Sequence, residues 1–315
     1  MNPLSTIYGT VTRARNEFYD RGVLPMYRLQ GPVISVGNIT AGGSGKTPFV
    51  MALGEMLKRR GVSFDVLSRG YGRRTKGVAL VNPDGTAREY GDEPLLIARR
   101  LEVSVVIGED RYAAGRFAEE NFGPRLHLLD DGFQHRRLAR DFDIVMVNAS
   151  DARGALLPMG RLREPLTALA RADAIVLTND SPAEGLPLLH QKVWRVRRDI
   201  FAPEVEGPCL AFCGIARPEA FFAQLRAADV TVAATRKFPD HHAYTKADVR
   251  ALLGARKKSG ATSFVTTEKD AINLEPFIPE LAPIHVAPVY MQIEDANGVA
   301  KTLWAAIAAR NLRPA

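Results

Sequence analysis

Short apolar runs alternate with amphipathic segments between residues 31 and 190. The apolar runs are typical of strands buried on both faces of a sheet, and the segments between them carry apolar residues at helical spacing. The predicted strands are Val33–Val36, Phe64–Leu67, Val78–Val81, Val103–Ile107, Leu126–Leu129, Asp143–Val147 and Ala174–Leu177, and the predicted helices are Phe49–Lys58, Asp92–Leu101 and Arg111–Asn121. This alternation predicts an α/β domain whose largely parallel sheet has helices on both faces.

A second, shorter series of the same kind follows. Lys192–Ile200 is typical of a strand and leads to two prolines, so residues 191–205 are predicted to be a β-linker. Residues 206–315 are predicted to form a smaller α/β domain. Its predicted strands are Cys209–Cys213, Val230–Ala233, Ser263–Thr266, Ile284–Ala287 and Val289–Ile293, and its predicted helices are Pro218–Ala228, Lys246–Lys258 and Ala300–Asn311.

Residues 1–30 differ from the rest of the chain. Apolar and aromatic residues recur there at roughly helical spacing, with arginines between them. The apolar positions are Leu4, Ile7, Tyr8, Val11, Phe18 and Tyr19, and the arginines are Arg13, Arg15, Arg21 and Arg28. We predict an amphipathic helix that either lies on a membrane surface or packs on the following domain.

Composition places the chain among soluble globular proteins. Of its 315 residues 46% are hydrophobic and 24% are charged. No apolar run approaches the ~20 residues of a membrane-spanning helix, and the start does not resemble a cleavable signal peptide. The two cysteines, Cys209 and Cys213, are too few for a disulfide framework or a four-cysteine zinc site. These features predict a reducing, cytoplasmic compartment.

The balance of charge indicates an anionic partner. The net charge is +7, which suits a nucleotide, a phospholipid or a nucleic acid. Aromatic residues make up 8% of the chain, without a base-stacking motif. We therefore expect no nucleic-acid partner, and nothing in the sequence implies an obligate protein partner.

The segment Gly42-Gly43-Ser44-Gly45-Lys46-Thr47 lies between a predicted strand and a predicted helix. Strand, glycine-rich turn and helix form the layout of a phosphate-binding P-loop. Its backbone amides and the helix N-terminus would hold an anion, Lys46 would reach the β- and γ-phosphates, and Thr47 would bind Mg²⁺. The strict motif has glycine where this chain has Thr40. The predicted ATP-binding residues are Thr40, Ala41, Gly42, Gly43, Ser44, Gly45, Lys46 and Thr47.

Other polar residues at the ends of predicted elements are candidates for chemistry. Asp130 and Asp131 follow a buried strand, where an acid beside a P-loop binds Mg²⁺; the sequence leaves open which of them binds directly. Asp92 is typical of a helix N-cap. In the segment Phe238–His242, a contact between Asp and His could either tune a histidine as a proton acceptor or orient a carboxylate base. The segment Ser68–Arg74 suits an anionic sugar or a mobile basic loop, and Thr266–Asp270 is either a helix start or a second polar rim of a cleft.

Several segments together resemble the tetraacyldisaccharide 4'-kinase family of Gram-negative bacteria, including its P-loop without the first glycine. The matching segments are Pro3–Gly9, Val36–Pro48, Ser68–Gly72, Gly91–Pro94, Gly108–Arg111, Leu129–His135, Leu157–Pro165, Phe238–His241 and Thr266–Asp270. The resemblance implies transfer of the ATP γ-phosphoryl group to the 4'-hydroxyl of a tetraacylated glucosamine disaccharide 1-phosphate. It also implies Mg²⁺, two domains with the cleft between them, and a location at the cytoplasmic face of the inner membrane.

The resemblance further implies roles for individual residues. Lys46 and Asp92 would be catalytic, with Asp92 as the base and His241 assisting it, although the adjacent His242 leaves that alignment open by one position. Thr47, Asp130 and Asp131 would hold the metal. Residues matching positions that face the substrate are Arg69, Tyr71, Arg111, Gln134, Arg163 and Glu164.

Two other functions remain open from the residues. One is a soluble P-loop kinase that acts on a small polar metabolite, which would not need the N-terminal helix. The other is a protein that uses ATP or GTP as a switch for partner or membrane binding, with slow hydrolysis and no organic acceptor.

Overall fold

A largely parallel sheet and a fully parallel sheet organise the chain into two lobes. A computed structural model describes residues 3–43, 45–178 and 184–310. The larger lobe contains a nine-stranded sheet and the smaller lobe a four-stranded sheet. The predicted fold class, a large parallel α/β domain with a smaller α/β domain, is confirmed.

The nine strands of the large sheet lie in the order β13-β8-β7-β6-β1-β5-β2-β4-β3. They are β1 (Val33–Asn38), β2 (Phe64–Ser68), β3 (Ala79–Leu80), β4 (Val105–Ile107), β5 (Leu126–Asp130), β6 (Phe142–Met146), β7 (Ala174–Thr178), β8 (Lys192–Ile200) and β13 (Val289–Ile293). The strands pair in parallel except at the two edges, where β3 and β13 are antiparallel to their neighbours. β1 lies between β5 and β6 in the middle of the sheet.

Helices cover both faces of this sheet because alternate strand residues point to opposite sides. The helices of the large lobe are α1 (Pro3–Asp20), α2 (Lys46–Arg59), α3 (Ala87–Tyr90), α4 (Asp92–Leu101), α5 (Arg111–Phe122) and α9 (Ala296–Arg310). One face packs against α2, α4 and α9. The opposite face packs against α5 and against a 3-10 helix, Leu166–Arg171; a second 3-10 helix is Ala149–Arg153.

The smaller sheet is parallel throughout, in the order β10-β9-β11-β12. Its elements are β9 (Cys209–Cys213), α6 (Pro218–Ala227), β10 (Val232–Lys237), α7 (Lys246–Ser259), β11 (Ser263–Thr267), α8 (Glu268–Leu274), the 3-10 helix Glu275–Leu281 and β12 (Ile284–Ala287). Phe221 and Phe222 of α6 pack on one face, and Leu252 of α7 packs on the other.

The chain enters and leaves the smaller lobe along two adjacent strands. β8 leads out of the large sheet, and β13 returns beside it, with Ile200 opposite Val289. After β13, α9 packs into the core of the large lobe. The predicted boundaries, 1–30, 31–190, 191–205 and 206–315, stay predictions.

Some predicted elements have other bounds in the structure. The strand predicted at Val230–Ala233 is β10, Val232–Lys237, which continues through an alternating, half-exposed segment without a long apolar run. The last helix begins at Ala296, four residues before the predicted start. α8 begins at Glu268, within the segment Thr266–Asp270 that the sequence leaves open between a helix start and a polar rim.

α1 packs on the large lobe through small residues and leaves its apolar face exposed. A Cβ at Gly9 would lie 2.7 Å from Cδ1 of Leu156, so glycine permits the close approach. Leu4, Ile7 and Val11 are 60%, 61% and 63% exposed. In the described part of the chain, no helix combines the length and apolar character needed to cross a bilayer.

Candidate active site

The glycine-rich turn connects β1 to α2 at the carboxyl edge of the large sheet. Gly42, Gly43 and Gly45 have φ angles of 70°, 56° and 83°, a left-handed backbone that favours glycine. α2 begins immediately afterwards at Lys46. The first amides of the helix therefore point into the loop, an arrangement that binds anions. Ser44, predicted here, lies outside the described residues.

Two glycines of this turn also allow close packing. A Cβ at Gly43 would lie 2.7 Å from Cβ of Ala216 in the smaller lobe. A Cβ at Gly45 would lie 2.6 Å from Cε of Met291 in β13. Both distances are shorter than carbon atoms tolerate. The Cβ of Ala216 cannot move independently of its backbone, whereas the flexible end of Met291 can move, so the close approach is strict only at Gly43.

Thr40 and Ala41 differ in their position within the turn. The Thr40 side chain is buried and accepts a hydrogen bond from Asn38 Nδ2 at 3.2 Å. Ala41 lines the cleft beside the glycines, and its amide donates to the carbonyl of Arg161 at 2.7 Å. Thr40 therefore fixes the start of the loop, and the residues from Ala41 onward face the open space.

The predicted acidic pair stands beside the turn. Asp130 ends β5 directly opposite Val36 of β1, and Asp131 has a positive φ of 51°. Lys46 Nζ lies 3.4 Å from Oδ1 of Asp131. Burial opposes the charge of Asp131, but Lys46 and Arg163 outweigh it and hold its pKa below the ordinary value.

Asp130 differs from its neighbour. Its Oδ2 accepts a hydrogen bond from Ser68 at 3.0 Å, while Oδ1 is buried without a partner among the described residues. Burial, together with the nearby Glu93 and Asp131, raises the pKa of Asp130 to about 7. A buried carboxylate oxygen without a hydrogen bond is unfavourable unless a cation or a proton satisfies it.

These groups fit Mg²⁺. Carboxylate and hydroxyl oxygens are its preferred ligands, and a nucleotide-linked Mg²⁺ takes only one or two carboxylates from the protein. The unpaired oxygen of Asp130 lies on a strand adjacent to the one that leads to Thr47. In the described parts of the chain, no three acidic, histidine or cysteine side chains gather into a metal site of their own.

Asp92 and His241 meet across the cleft. Asp92 is the first residue of α4 and is buried, with its carboxylate 3.1 and 3.0 Å from Nδ1 of His241. Asn273 of α8 donates to the same carboxylate at 3.1 Å. Burial opposes the charge of Asp92, but the His241 hydrogen bond and the Lys269 charge outweigh it, so the pKa of Asp92 lies below its ordinary value.

The contact identifies which histidine of the adjacent pair faces Asp92. His242 instead approaches Asp248 of α7 at 3.2 Å, so the two rings point in different directions. His241 has a φ of 57°, which is unusual for a residue with a side chain. The exposed ring of Tyr71 tilts over the His241 ring with centroids 5.1 Å apart.

Arg163, Gln134 and Glu164 form one hydrogen-bonded group beside Asp131. Arg163 donates to both oxygens of Asp131, at 3.1 and 3.0 Å. Gln134 donates to the carbonyl of Asn38 at 2.8 Å and to Glu164 at 3.1 Å. Arg163 lines the cleft, whereas Glu164 is buried and links this group to α1 through Asn16 at 2.6 Å.

The remaining predicted substrate residues are Arg69 and Arg111. Arg111 is buried at the start of α5, where it donates to the carbonyls of Gly108 and Glu109 at 3.2 and 2.9 Å. Burial lowers the pKa of Arg111 to about 10, and the nearby positive charge of Arg69 acts in the same direction. Arg69 is exposed. Neither side chain is among the residues that line the cleft described next.

A cleft of about 880 Å³ opens between the lobes, a volume typical of ligand sites. Ala41, the described glycines of the turn, Lys46 and Thr47 line one side; His241 and Lys269 line the other. Ion pairs join the lobes at its rim: Arg100 of α4 donates to both carboxylate oxygens of Glu268 at 2.7 Å. The turn, Asp131 and His241 therefore face one space, and the buried Asp130 and Asp92 lie directly beside Asp131 and His241.

Three cations that line the cleft, Lys269, Arg198 and Arg217, are not among the predicted site residues. Lys269 lies in the segment Thr266–Asp270, which the sequence analysis interprets as a helix start or a polar rim of the cleft. This segment is mostly polar, and nothing in it distinguishes Lys269 from its neighbours. Arg198 lies on β8 with three other basic residues, a composition that is typical of a solvated strand.

A parallel sheet, a glycine-rich turn followed by a helix, and an acidic strand end define a P-loop nucleotide-binding domain. The family model LpxK, described as tetraacyldisaccharide-1-P 4'-kinase, matches residues 1–308. The chain belongs to this kinase family, and the resemblance drawn from its motifs is confirmed.

Similar proteins agree with this assignment over nearly their full length. A tetraacyldisaccharide 4'-kinase of Koribacter versatilis is 50% identical, over 94% of this chain and 95% of its own. One of Geobacter metallireducens is 40% identical, with 93% of each chain covered. A crystal structure of the "apo" form of LpxK from Aquifex aeolicus in complex with ATP has a TM-score of 0.78 and 34% identity, covering 97% of this chain and 98% of that one.

Proposed function

We propose that the protein transfers the γ-phosphoryl group of ATP to the 4'-hydroxyl of a tetraacylated glucosamine disaccharide 1-phosphate. The observation that carries this proposal is the cleft itself, with the phosphate-binding turn on one wall and His241 on the other, where His241 contacts the buried Asp92 at 3.0 Å. Membership of the kinase family supplies the acceptor.

The glycine-rich turn would bind the triphosphate of ATP. Its amides and the first turn of α2 would hold the phosphate oxygens, because both present N–H groups to an anion. Lys46 would neutralise negative charge on the transferred group. Since Lys46 also contacts Asp131 at 3.4 Å, that carboxylate keeps the ammonium directed toward the turn.

Thr47, Asp130 and Asp131 would hold Mg²⁺. The unpaired Oδ1 of Asp130 supports this proposal, because it needs a positive partner. When bound, the metal would offset phosphate charge. Ser68 would keep Asp130 oriented through its hydrogen bond at 3.0 Å.

Asp92 would accept the proton of the sugar hydroxyl as the new P–O bond forms. Its lowered pKa keeps the carboxylate ionised at neutral pH. A hydroxyl is far less acidic than a carboxylic acid, so its proton moves only late, when bond formation to phosphorus is advanced. His241 would orient Asp92 through the contact at 3.0 Å. Closure of the two lobes over bound ATP would also exclude water and limit hydrolysis of ATP.

A direct assay tests the proposal. Pure protein, labelled ATP, Mg²⁺ and the detergent-dispersed acylated disaccharide 1-phosphate are expected to give a bis-phosphorylated lipid. Asp92→Asn is expected to lower kcat by about 10² to 10⁴, the range for loss of general base catalysis. Near-normal kcat in that variant would exclude Asp92 as the base. ATP hydrolysis without lipid product would favour the nucleotide-controlled switch, and phosphorylation of a small polar sugar alone would favour a soluble metabolite kinase.

We also propose that α1 lies on the cytoplasmic surface of the inner membrane. Leu4, Ile7, Val11 and Phe18 form one exposed apolar face, although α1 itself packs on the large lobe. The hydroxyl of Tyr8 donates to the carbonyl of Arg163 at 3.0 Å. A lipid that enters along α1 would therefore reach the cleft by a short path.

Substitution on this face tests the membrane proposal without removing the helix. Ile7→Glu with Val11→Glu is expected to abolish sedimentation with vesicles of anionic phospholipid, because two charges would enter the apolar layer. Leu189→Glu, at an exposed position 79% accessible and far along the chain, is the control. Unchanged vesicle binding of the double variant would overturn the proposal.

A further inference from the structure

Lys269 occupies the centre of the charged group opposite the glycine-rich turn. It is the second residue of α8, and its ammonium nitrogen lies 2.9 Å from Oδ1 of Asp240 and 3.1 Å from Nε2 of His241. Glu93 and Asp92 are 3.6 and 3.9 Å away. One cation is therefore in contact with a histidine and three carboxylates contributed by both lobes.

The contact with His241 determines where the imidazole carries its proton. A charged lysine can only donate hydrogen bonds, so Nε2 must accept and cannot carry a proton. Burial opposes the charge of Lys269, but Glu93, Asp92 and Asp240 outweigh burial and raise its pKa above the ordinary value. Lys269 thus stays charged, and the remaining proton of neutral His241 resides on Nδ1, which faces Asp92.

Protonation of His241 has opposing influences. Burial disfavours the charged ring, but the hydrogen bond and charge of Asp92 outweigh burial and raise the pKa of His241; Lys269 acts in the lowering direction. The groups facing the ring are Asp92 and Glu93 from α4, Asp240 from its own loop, Lys269 from α8 and the Tyr71 ring. A second proton on the ring could enter only at Nε2, and it would have to displace Lys269.

We infer that Lys269 is a positioning residue for phosphoryl transfer: its ammonium holds His241 in the neutral Nδ1–H form and so keeps Asp92 oriented and unprotonated. The inference rests on the proposed function for its kinetic consequence, but the Lys269–His241 contact can be tested without turnover. Lys269 acts through His241 and Asp92 and is not required to touch the reacting atoms.

The first test is the pH dependence of kcat/KM for the disaccharide. In Lys269→Met the acid limb is expected to move up by about 1 pH unit, because removal of a cation within about 4 Å raises the pKa of both His241 and Asp92. Lys269→Arg keeps the charge and is expected to retain most of the wild-type profile. Lys257→Met, at an exposed position near the end of α7, is the control and leaves the profile unchanged.

The second test observes the histidine directly in the wild-type protein. Nitrogen NMR of protein labelled at histidine, with the signal assigned from His241→Gln, distinguishes the Nδ1–H from the Nε2–H form. The Nδ1–H form is expected above the pH of the acid limb. In Lys269→Met the titration of this signal is expected to move upward with the kinetic limb.

Each outcome decides one point. An Nε2–H signal in the wild type, or an acid limb in Lys269→Met that stays at its wild-type position while kcat falls, would overturn the inference and leave Lys269 a purely structural group. If Lys269→Met does not fold, the wild-type NMR signal and the Lys269→Arg profile decide. If the disaccharide is not phosphorylated by wild-type protein, the proposed function fails, while the NMR result still confirms or rejects the contact.

Discussion

Replacing Arg198 by methionine separates ligand binding from folding. Arg198 projects from β8 into the cleft, and its Nε is buried without a hydrogen-bond partner among the described residues. Burial lowers the pKa of Arg198, and the like charge of Arg217 adds to this effect. Arg217 itself donates to Asn148 at 3.2 Å. Arg198 is therefore a cation held near the glycine-rich turn at a cost to folding.

Arg198→Met is expected to stabilise the fold and to weaken ATP binding. A buried unpaired donor destabilises by about 1–3 kcal/mol, so methionine, which fills a similar volume without a polar atom, is expected to raise the free energy of unfolding by about 1 kcal/mol. A hydrogen bond to a charged phosphate contributes about 1.5–3 kcal/mol, so the Kd for ATP is expected to rise about 10- to 150-fold.

Urea unfolding without ligand measures the first effect, and calorimetric titration with a non-hydrolysable ATP analogue and Mg²⁺ measures the second. Arg197→Met on the same strand is the matched control, because Arg197 is exposed and bonds Asp199 at 2.6 Å. It is expected to change neither quantity by more than about 0.5 kcal/mol. A destabilised Arg198→Met that binds the analogue with wild-type Kd would refute the reasoning.

Three further perturbations test other parts of the site. Gly43→Ala is expected to destabilise the protein and to weaken ATP binding by more than the control Gly61→Ala. Both residues have a positive φ, but an added Cβ would lie 2.7 Å from Ala216 at Gly43 and would meet nothing within 4 Å at Gly61. Equal effects of the two variants in unfolding and binding assays would contradict the close contact. Arg100→Ala removes the two contacts with Glu268 at 2.7 Å that join α4 to α8, and it is expected to raise the KM for ATP several-fold. The control is Arg59→Ala, whose partner Glu55 lies one turn away on α2 at 3.7 Å, and it is expected to leave KM unchanged. An unchanged KM in Arg100→Ala would show that the pair does not hold the lobes together. The pKa of Asp92 is lowered on folding, so its charge contributes stability that is present above the unfolded-state pKa and is lost as pH falls through the folded-state pKa. The difference in free energy of unfolding between wild type and Asp92→Asn is therefore expected to shrink below about pH 4. A difference that does not change between about pH 3 and 6 would contradict this expectation.

The sequence predicted the large sheet and its phosphate-binding turn because both depend on local signals. Val33–Asn38 is an apolar strand, and Gly45 directly precedes α2, so strand, turn and helix follow from neighbouring residues. The acidic pair was predicted for the same reason, since Asp130 ends a buried strand. Parallel pairing then brings the strand ends together without further information.

Contacts between distant residues could not be predicted in this way. Asp92 and His241 are 149 positions apart, and helix capping alone accounts for an aspartate before Glu93 and Pro94. A role for Lys269 could not be predicted, because its contacts with Asp240, His241 and α4 form only when the two lobes pack together. The role of Arg198 could not be predicted because a strand rich in basic residues is typical of an exposed face, whereas in the structure Arg198 lines the cleft and its Nε is buried.

The paired strands β8 and β13 make the smaller lobe a removable insertion. Ile200 and Val289 lie opposite each other in the sheet, so the ends of the intervening segment are already neighbours. A two-residue hairpin joining them would leave the sheet edge and α9 intact. Such a shortened protein would retain the glycine-rich turn but lack the histidine and the lysine that face it. Its affinity for ATP would show how much of nucleotide binding depends on the large lobe alone. Its loss of phosphoryl transfer would show that the smaller lobe is needed for the acceptor to react.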